Sequence, residues 1–294
     1  MTSKNSHRRI SGAYSRAKRL DVDDTSKIVL MSDVHRGRGA GSDNFAKNQK
    51  LYYTALRHYD REGYTYIELG DGDDLWQERH MWEITAEYDH IFALLAKLYR
   101  EGRFHMLYGN HDMIKRSGAW TQRNLYTYSP KPMGMPSPLF PNMVVEESIL
   151  LTHRPRGGKM LLLHGHQADF FNCRLWWLSR FLVRYIWQPL ELVGFQNPFD
   201  NERNPRRRSR VEQILTCWGE KMDIRVVAGH THRPIFPQHD GERYMNDGSC
   251  VHTRYITALE IAEGKICLVK WEVAVKEDGI LYITKEPISG TGRI

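Results

Sequence analysis

The sequence predicts an α/β fold on a partly parallel sheet, and three observations predict it. Short apolar runs each stop at a polar cluster, helical segments separate the first of these runs, and the C-terminal part alternates apolar with polar residues. Lys27 to Met31 runs into Ser32-Asp33-Val34-His35, and Tyr64 to Leu69 into Gly70-Asp71. Phe104 to Tyr108 runs into Gly109-Asn110-His111-Asp112, Met160 to Leu163 into His164-Gly165-His166, and Ile224 to Ala228 into Gly229-His230-Thr231-His232. Each reads as a buried strand. Asn44 to Tyr59 and Met81 to Arg100 read as the intervening helices, the second closed by Gly102 just past its end. Sites in such sheets form beyond the carboxyl ends of the strands, where all five polar clusters fall. Tyr244 to Val251, Thr257 to Ile261 and Lys265 to Val275 alternate and turn at Glu263-Gly264, which predicts antiparallel strands in a second sheet. Ser129 to Asn142 holds five prolines and reads as loop.

Composition bounds the rest. The chain has 294 residues, 41% of them hydrophobic, enough for a sizeable core; collagen-like, disordered and disulfide-scaffold classes are excluded. Cys173, Cys217, Cys250 and Cys267 lie far apart with no CxxC pair, which points to reduced thiols. The start of the chain lacks an apolar h-region, and no stretch reaches the ~18 apolar residues of a membrane span, so a cytoplasmic chain is expected. Lys4, Arg8, Arg9, Arg16, Lys18 and Arg19 hold most of the +7 net charge with no acid among the first 20 residues. Residues 1–24 therefore read as a basic, solvated tail, with an anionic membrane surface or nucleic acid as its alternative partners. Residues 25–294 read as one domain interrupted by a helical cap over about 169–222.

The strand ends bring together Asp33, His35, Asp71, Asn110, His164, His230 and His232: imidazoles, carboxylates and one amide oxygen, with no thiolate. That donor set suits Mn²⁺, Fe²⁺ or Zn²⁺. Seven ligands exceed the need of one ion, and with one bridging carboxylate they divide between two, as in two-metal phosphoester hydrolysis. In D-x-H and H-x-H, extended residues i and i+2 would point the same way, toward one metal region.

The ordered set D-x-H (Asp33, His35), G-D-x-x-D (Gly70, Asp71, Asp74), G-N-H-D (Gly109 to Asp112), H-G (His164, Gly165) and G-H-x-H (Gly229 to His232) resembles the calcineurin-like metallophosphoesterase superfamily. Asn246-Asp247-Gly248-Ser249 is similar to the turn that often follows the last motif in that family. The resemblance implies two packed mixed β-sheets flanked by helices, an αββα sandwich. It implies that Asp33, His35, Asp71 and His232 hold one metal, and that Asp71, Asn110, His164 and His230 hold the other, with His166 as the competitor of His164. Mn²⁺ is the expected ion, with Fe²⁺ or Zn²⁺ as alternatives. It further implies hydrolysis by a metal-bridging hydroxide, with His111 protonating the leaving group. Asp74 or Asp112 would orient His111. Arg36, directly after D-x-H, is either a phosphate contact or a surface arginine.

Residues 170–195 (FFNCRLWWLSRFLVRYIWQPLELVGF) are densely aromatic and interrupted by Arg174, Arg180 and Arg184. The segment is too short and too charged to span a membrane and fits an amphipathic helix that lies at a membrane interface or caps an apolar ligand. The layout is similar to that of bacterial UDP-2,3-diacylglucosamine hydrolases, whose helical lid covers acyl chains, although those enzymes usually carry Arg where His111 stands. The expected substrate is therefore a phosphoester or pyrophosphate, lipid-linked or nucleotide-linked. A nuclease acting on nucleic acid and a non-catalytic scaffold on the same fold are the alternatives.

Overall fold

The computed structural model describes residues 3–129, 134–169, 181–183, 205–239, 241–290 and 292–293. Two sheets pack face to face between helical layers. The larger has seven strands: β13 (Leu281–Pro287), β12 (Lys265–Val275), β11 (Tyr255–Ala262), β2 (Ile28–Met31), β3 (Thr65–Glu68) and β4 (Phe104–Met106) in order, with β14 (Gly292–Arg293) pairing β12. The second runs β1 (Lys18–Val22), β7 (Ser148–His153), β8 (Lys159–Leu163), β9 (Arg225–Ala228), β10 (Tyr244–Asn246). A two-stranded piece, β5 (Thr127–Tyr128) with β6 (Ser137–Pro138), interrupts the proline-rich loop.

Strands β2, β3 and β4 are parallel, as their alternation with α2 (Gln49–Arg61), α3 (Met81–Glu87) and α4 (Asp89–Arg100) predicts. A short helix, α5 (Gly118–Asn124), follows β4 and is capped by the Ser117 hydroxyl. Strand β2 is buried along its whole length because both of its faces are covered. Val29 and Met31 join the core beneath α2 and α4, while Ile28 and Leu30 join the one between the sheets. The expected helix over Met81–Arg100 is two helices broken at Tyr88, whose hydroxyl donates to Asp43 (2.5 Å). Strand β10, expected to be antiparallel, runs parallel to β9 in the second sheet; β11 and β12 are antiparallel, as predicted, and β13 joins them. They do not form a second sheet, however, because β11 pairs with β2 and extends the first.

The basic N-terminal segment is not a solvated tail. Ser3–Arg16 forms α1 and Lys18–Val22 forms β1, parallel to β7 at the edge of the second sheet. Ser6, Ile10 and Ala13, spaced four and three apart, are buried on the inner side of α1, where Arg9 also donates to the Gln167 carbonyl (2.7 Å), while Lys4, Arg8 and Arg16 are exposed. Helix α6 (Pro205–Met222) covers the same face with Val211, Ile214, Leu215 and Trp218, and the Trp218 indole donates to Ser11 Oγ (2.9 Å). It is the part of the expected cap that falls within the described residues. The aromatic helix expected over 170–195 lies outside them, apart from residues 181–183. Among the described residues, no helix is long and apolar enough to cross a membrane.

Candidate metal centre

Five of the seven expected ligands do not continue their strands. Asp33, His35, Asp71, His230 and His232 have φ of 49°, 50°, 51°, 67° and 54°, the left-handed region that Asp and His tolerate better than most residues. The expectation that D-x-H and H-x-H point alike because they are extended is therefore corrected. The side chains converge from tight turns just past the strand ends, a strained conformation of the kind that clusters at functional sites.

Cross-bonds between the turns hold each carboxylate by one oxygen and present the other. Asp33 Oδ2 accepts from the His230 amide (2.8 Å) and from Ser32 Oγ (2.5 Å). Its Oδ1 faces His232 Nε2 at 3.0 Å, His35 Nε2 at 3.7 Å and His164 Nε2 at 4.0 Å. Asp71 Oδ1 accepts from the His111 amide (2.7 Å), and its Oδ2 faces His164 Nε2 at 3.1 Å and His35 Nε2 at 4.0 Å. Glycines permit this approach. A Cβ on Gly109 would overlap Asp71, and one on Gly229 would overlap Ser32 and Asp33.

Three groups of donors lie within 4.8 Å of one another: Asp33, His35 and His232; His35, Asp71 and His111; Asp71, His164 and His230. Asn110 Oδ1, Asp33 Oδ1 and His164 Nε2 are buried without a hydrogen bond. His164 Nδ1 lies 2.9 Å from the Leu69 carbonyl, so it donates there and turns Nε2 toward the carboxylates. His166 is buried and belongs to none of the three groups, and burial together with His164 pushes its pKa well below the ordinary value.

The electrostatics fit a cation. Burial would raise Asp33, yet the His232 and His164 imidazoles hold it well below the usual carboxylate range. Burial opposes the same effect at Asp71, where His164 and His111 dominate. Burial would lower His164, but Asp71 and Asp33 push it up to about 10. Hard and borderline donors, buried and unsatisfied around shared carboxylates, suit divalent ions. Beneath them, burial and the charge of Asp33 push Asp247 well above its ordinary value. Ser32 Oγ sits 2.8 Å from Asp247 Oδ1 and has one proton to give. That proton lies between the Asp33 and Asp247 carboxyls.

His111 stands beside these groups. Its Nδ1 lies 3.0 Å from Asp74 Oδ1, and its ring stacks on Trp76 (centroids 4.1 Å apart) and meets His35 edge-on. Burial lowers its pKa, and Asp74 and Asp71 more than reverse this, so the net shift is upward. Asp112 does not orient His111; it accepts from the Gly109 and Gly72 amides and from Lys115 Nζ (2.8 Å).

Arg36 is neither a phosphate contact nor a surface arginine. It is fully buried, doubly hydrogen-bonded to Glu68 (2.8 and 3.0 Å) and bonded to Asp73 (2.7 Å), and Lys115 reaches Asp73 from the other side (2.5 Å). This ion network fixes the turns after β2, β3 and β4 together under the site. Sequence reasoning missed it, along with Trp76, Ser32 and a double salt bridge from Arg207 to Asp169 (2.8 and 2.9 Å) beside His230. Trp76, two residues after Asp74, was the one with a local cue.

The chain belongs to the calcineurin-like phosphoesterase family, whose model matches residues 26–234. Among solved structures, a Vps29 variant from Entamoeba histolytica is 12% identical, with 90% of this chain and 99% of that chain covered and a TM-score of 0.39. Vps29 from Chaetomium thermophilum is 11% identical, with 92% and 98% covered and a TM-score of 0.42. A structure described as a novel archaeal phosphodiesterase is 15% identical, with 88% and 99% covered and a TM-score of 0.35. No curated protein matches the sequence.

Proposed function

We propose that the chain is a metal-dependent phosphoesterase that uses two divalent cations. Asp33, His35, Asp71 and His232 would hold one, and Asp71, Asn110, His164 and His230 the other, with Mn²⁺ the expected ion. The observation that carries the reading is the set of overlapping donor groups around Asp33 and Asp71, with Asn110 Oδ1 and His164 Nε2 buried and unsatisfied. When bound, such a pair supplies an acidified water as nucleophile and neutralises charge on the phosphoryl oxygens.

The chain's own contribution to bond cleavage is His111. Asp74 fixes its Nδ1 proton and Trp76 holds the ring plane, so Nε2 is the nitrogen turned to the leaving oxygen. General-acid help of this kind is worth ~10²–10⁴-fold. The aromatic, arginine-interrupted composition of residues 170–195 supports a lipid-linked or nucleotide-linked substrate and contact with an anionic membrane surface.

The test starts from chelator-free protein, with metal content read by mass spectrometry. It then assays p-nitrophenyl phosphate, bis-p-nitrophenyl phosphate and a UDP-linked diacyl sugar with Mn²⁺ present. About two metals per chain and hydrolysis are expected, and His111→Asn should lower kcat by ~10²–10⁴-fold with metal content unchanged. Absence of both metal and turnover would overturn the reading. Turnover of the generic esters alone would remove the lipid-linked substrate.

A further inference from the structure

The inner faces of packed sheets are ordinarily apolar, and at one end of this sandwich they are not. Arg225 opens β9 and Arg243 immediately precedes β10. They lie side by side in the parallel pair, where the Val226 amide donates to the Arg243 carbonyl (2.7 Å). By the two-residue period of a strand, Arg225 shares a face with Val227. Val227 belongs to the core between the sheets. Arg225 therefore faces the gap between the sheets, whereas the Arg243 side chain leaves from beside Gly219 of α6 and reaches Asp223; both lie at the end of β9 opposite His230. There they line a cavity of about 510 Å³, together with Phe236, Ile266 and Ile288.

Two arginines and one acid, Glu242, line this cavity, with Asp223 at its rim. Arg243 pairs with Asp223 (2.6 Å) at the rim. Glu242, the acid among the lining residues, accepts from the Gln238 amide (2.9 Å). Arg225 is half-buried, and among the described residues it has no hydrogen-bond or ion-pair partner. Burial and the neighbouring Arg243 lower its pKa. A half-buried guanidinium beside a second one is unfavourable unless an anion joins them. Forked guanidiniums match phosphate oxygens, and the volume falls within the ~300–1,000 Å³ of small-molecule sites.

We propose that this cavity binds a phosphate-bearing small molecule, with its phosphoryl group between Arg225 and Arg243 and its apolar part against Phe236, Ile266 and Ile288. The site lies at the opposite end of the sheet from the metal centre and does not depend on the phosphoesterase reading.

Calorimetric titration of the full metal-loaded chain with phenylphosphonate, whose P–C bond the enzyme cannot hydrolyse, tests it. Inorganic phosphate serves as the second probe. Wild type is expected to show a phenylphosphonate site beyond the one at the metal centre, and this second site is weakened at least tenfold by Arg225→Gln and less by Arg225→Lys. Metal content, ester hydrolysis and melting temperature should stay unchanged in both variants. Equal binding by Arg225→Gln and wild type would overturn the proposal. So would a fall in melting temperature in Arg225→Gln, which would make Arg225 a structural prop. Phosphate binding as tight as phenylphosphonate would overturn the apolar half and leave the inorganic anion as occupant. Metal content and turnover are read separately, so this site and the catalytic reading fail independently.

Discussion

Arg36, Glu68, Asp73 and Lys115 show how much of the metal centre rests on residues that never reach a substrate. Removing one member of a fully buried ion network leaves its partners charged and unpaired, which costs about 3–5 kcal/mol. Arg36→Met should destabilise the chain by that amount in urea denaturation. A phosphate-contact role would instead have left stability intact and raised KM. Six of the seven expected ligands fall within the three donor groups, and they were legible because the same few residue types recur in order at the ends of apolar runs. Arg36 was not, because a sequence displays a charge without its burial. Asp74 and Asp112 are equally plausible partners for His111 by sequence spacing. Only the path of the turn decides that Asp74 reaches Nδ1 while Asp112 receives backbone amides.

Among the elements, the buried strands were readable from runs such as Lys27 to Met31 and Ile224 to Ala228, since a strand covered on both faces must be apolar throughout. Their pairing was not, because partner choice depends on residues far away in the chain: β11 adds to β2 across more than two hundred positions. The N-terminal segment misleads for a different reason. Its six cations outweigh a buried stripe of three small or apolar residues in any composition count, yet that stripe is what docks α1. Ile10→Ala should therefore destabilise the chain by about 2–5 kcal/mol, measured by thermal or urea unfolding. A solvated tail would show no change. The break falls at Tyr88, whose hydroxyl reaches Asp43 forty-five residues upstream, a contact that no local pattern displays.

For the molecule as a whole, the edge strands of the two sheets meet where Lys18 on β1 donates to His105 Nδ1 on β4 (3.3 Å). Burial and this ammonium push the His105 pKa down to about 4 from an unfolded value near 6.5. Between those values the unfolded chain binds a proton that the folded chain refuses, so this contribution to stability is lost as pH falls from about 6.5 to about 4. Comparing urea midpoints at pH 7.5 and pH 5 for wild type and His105→Gln should show a smaller drop in the variant. An identical drop would refute the assignment.

The bonds from the His230 amide to Asp33 and from the His111 amide to Asp71 make each of these carboxylates a rivet as well as a candidate ligand. Asparagine retains an acceptor oxygen for the rivet and gives up the negative charge; alanine gives up both. A lineage could therefore silence this centre through Asp→Asn exchanges and keep its architecture intact. In this geometry, chemistry is easier to lose than shape.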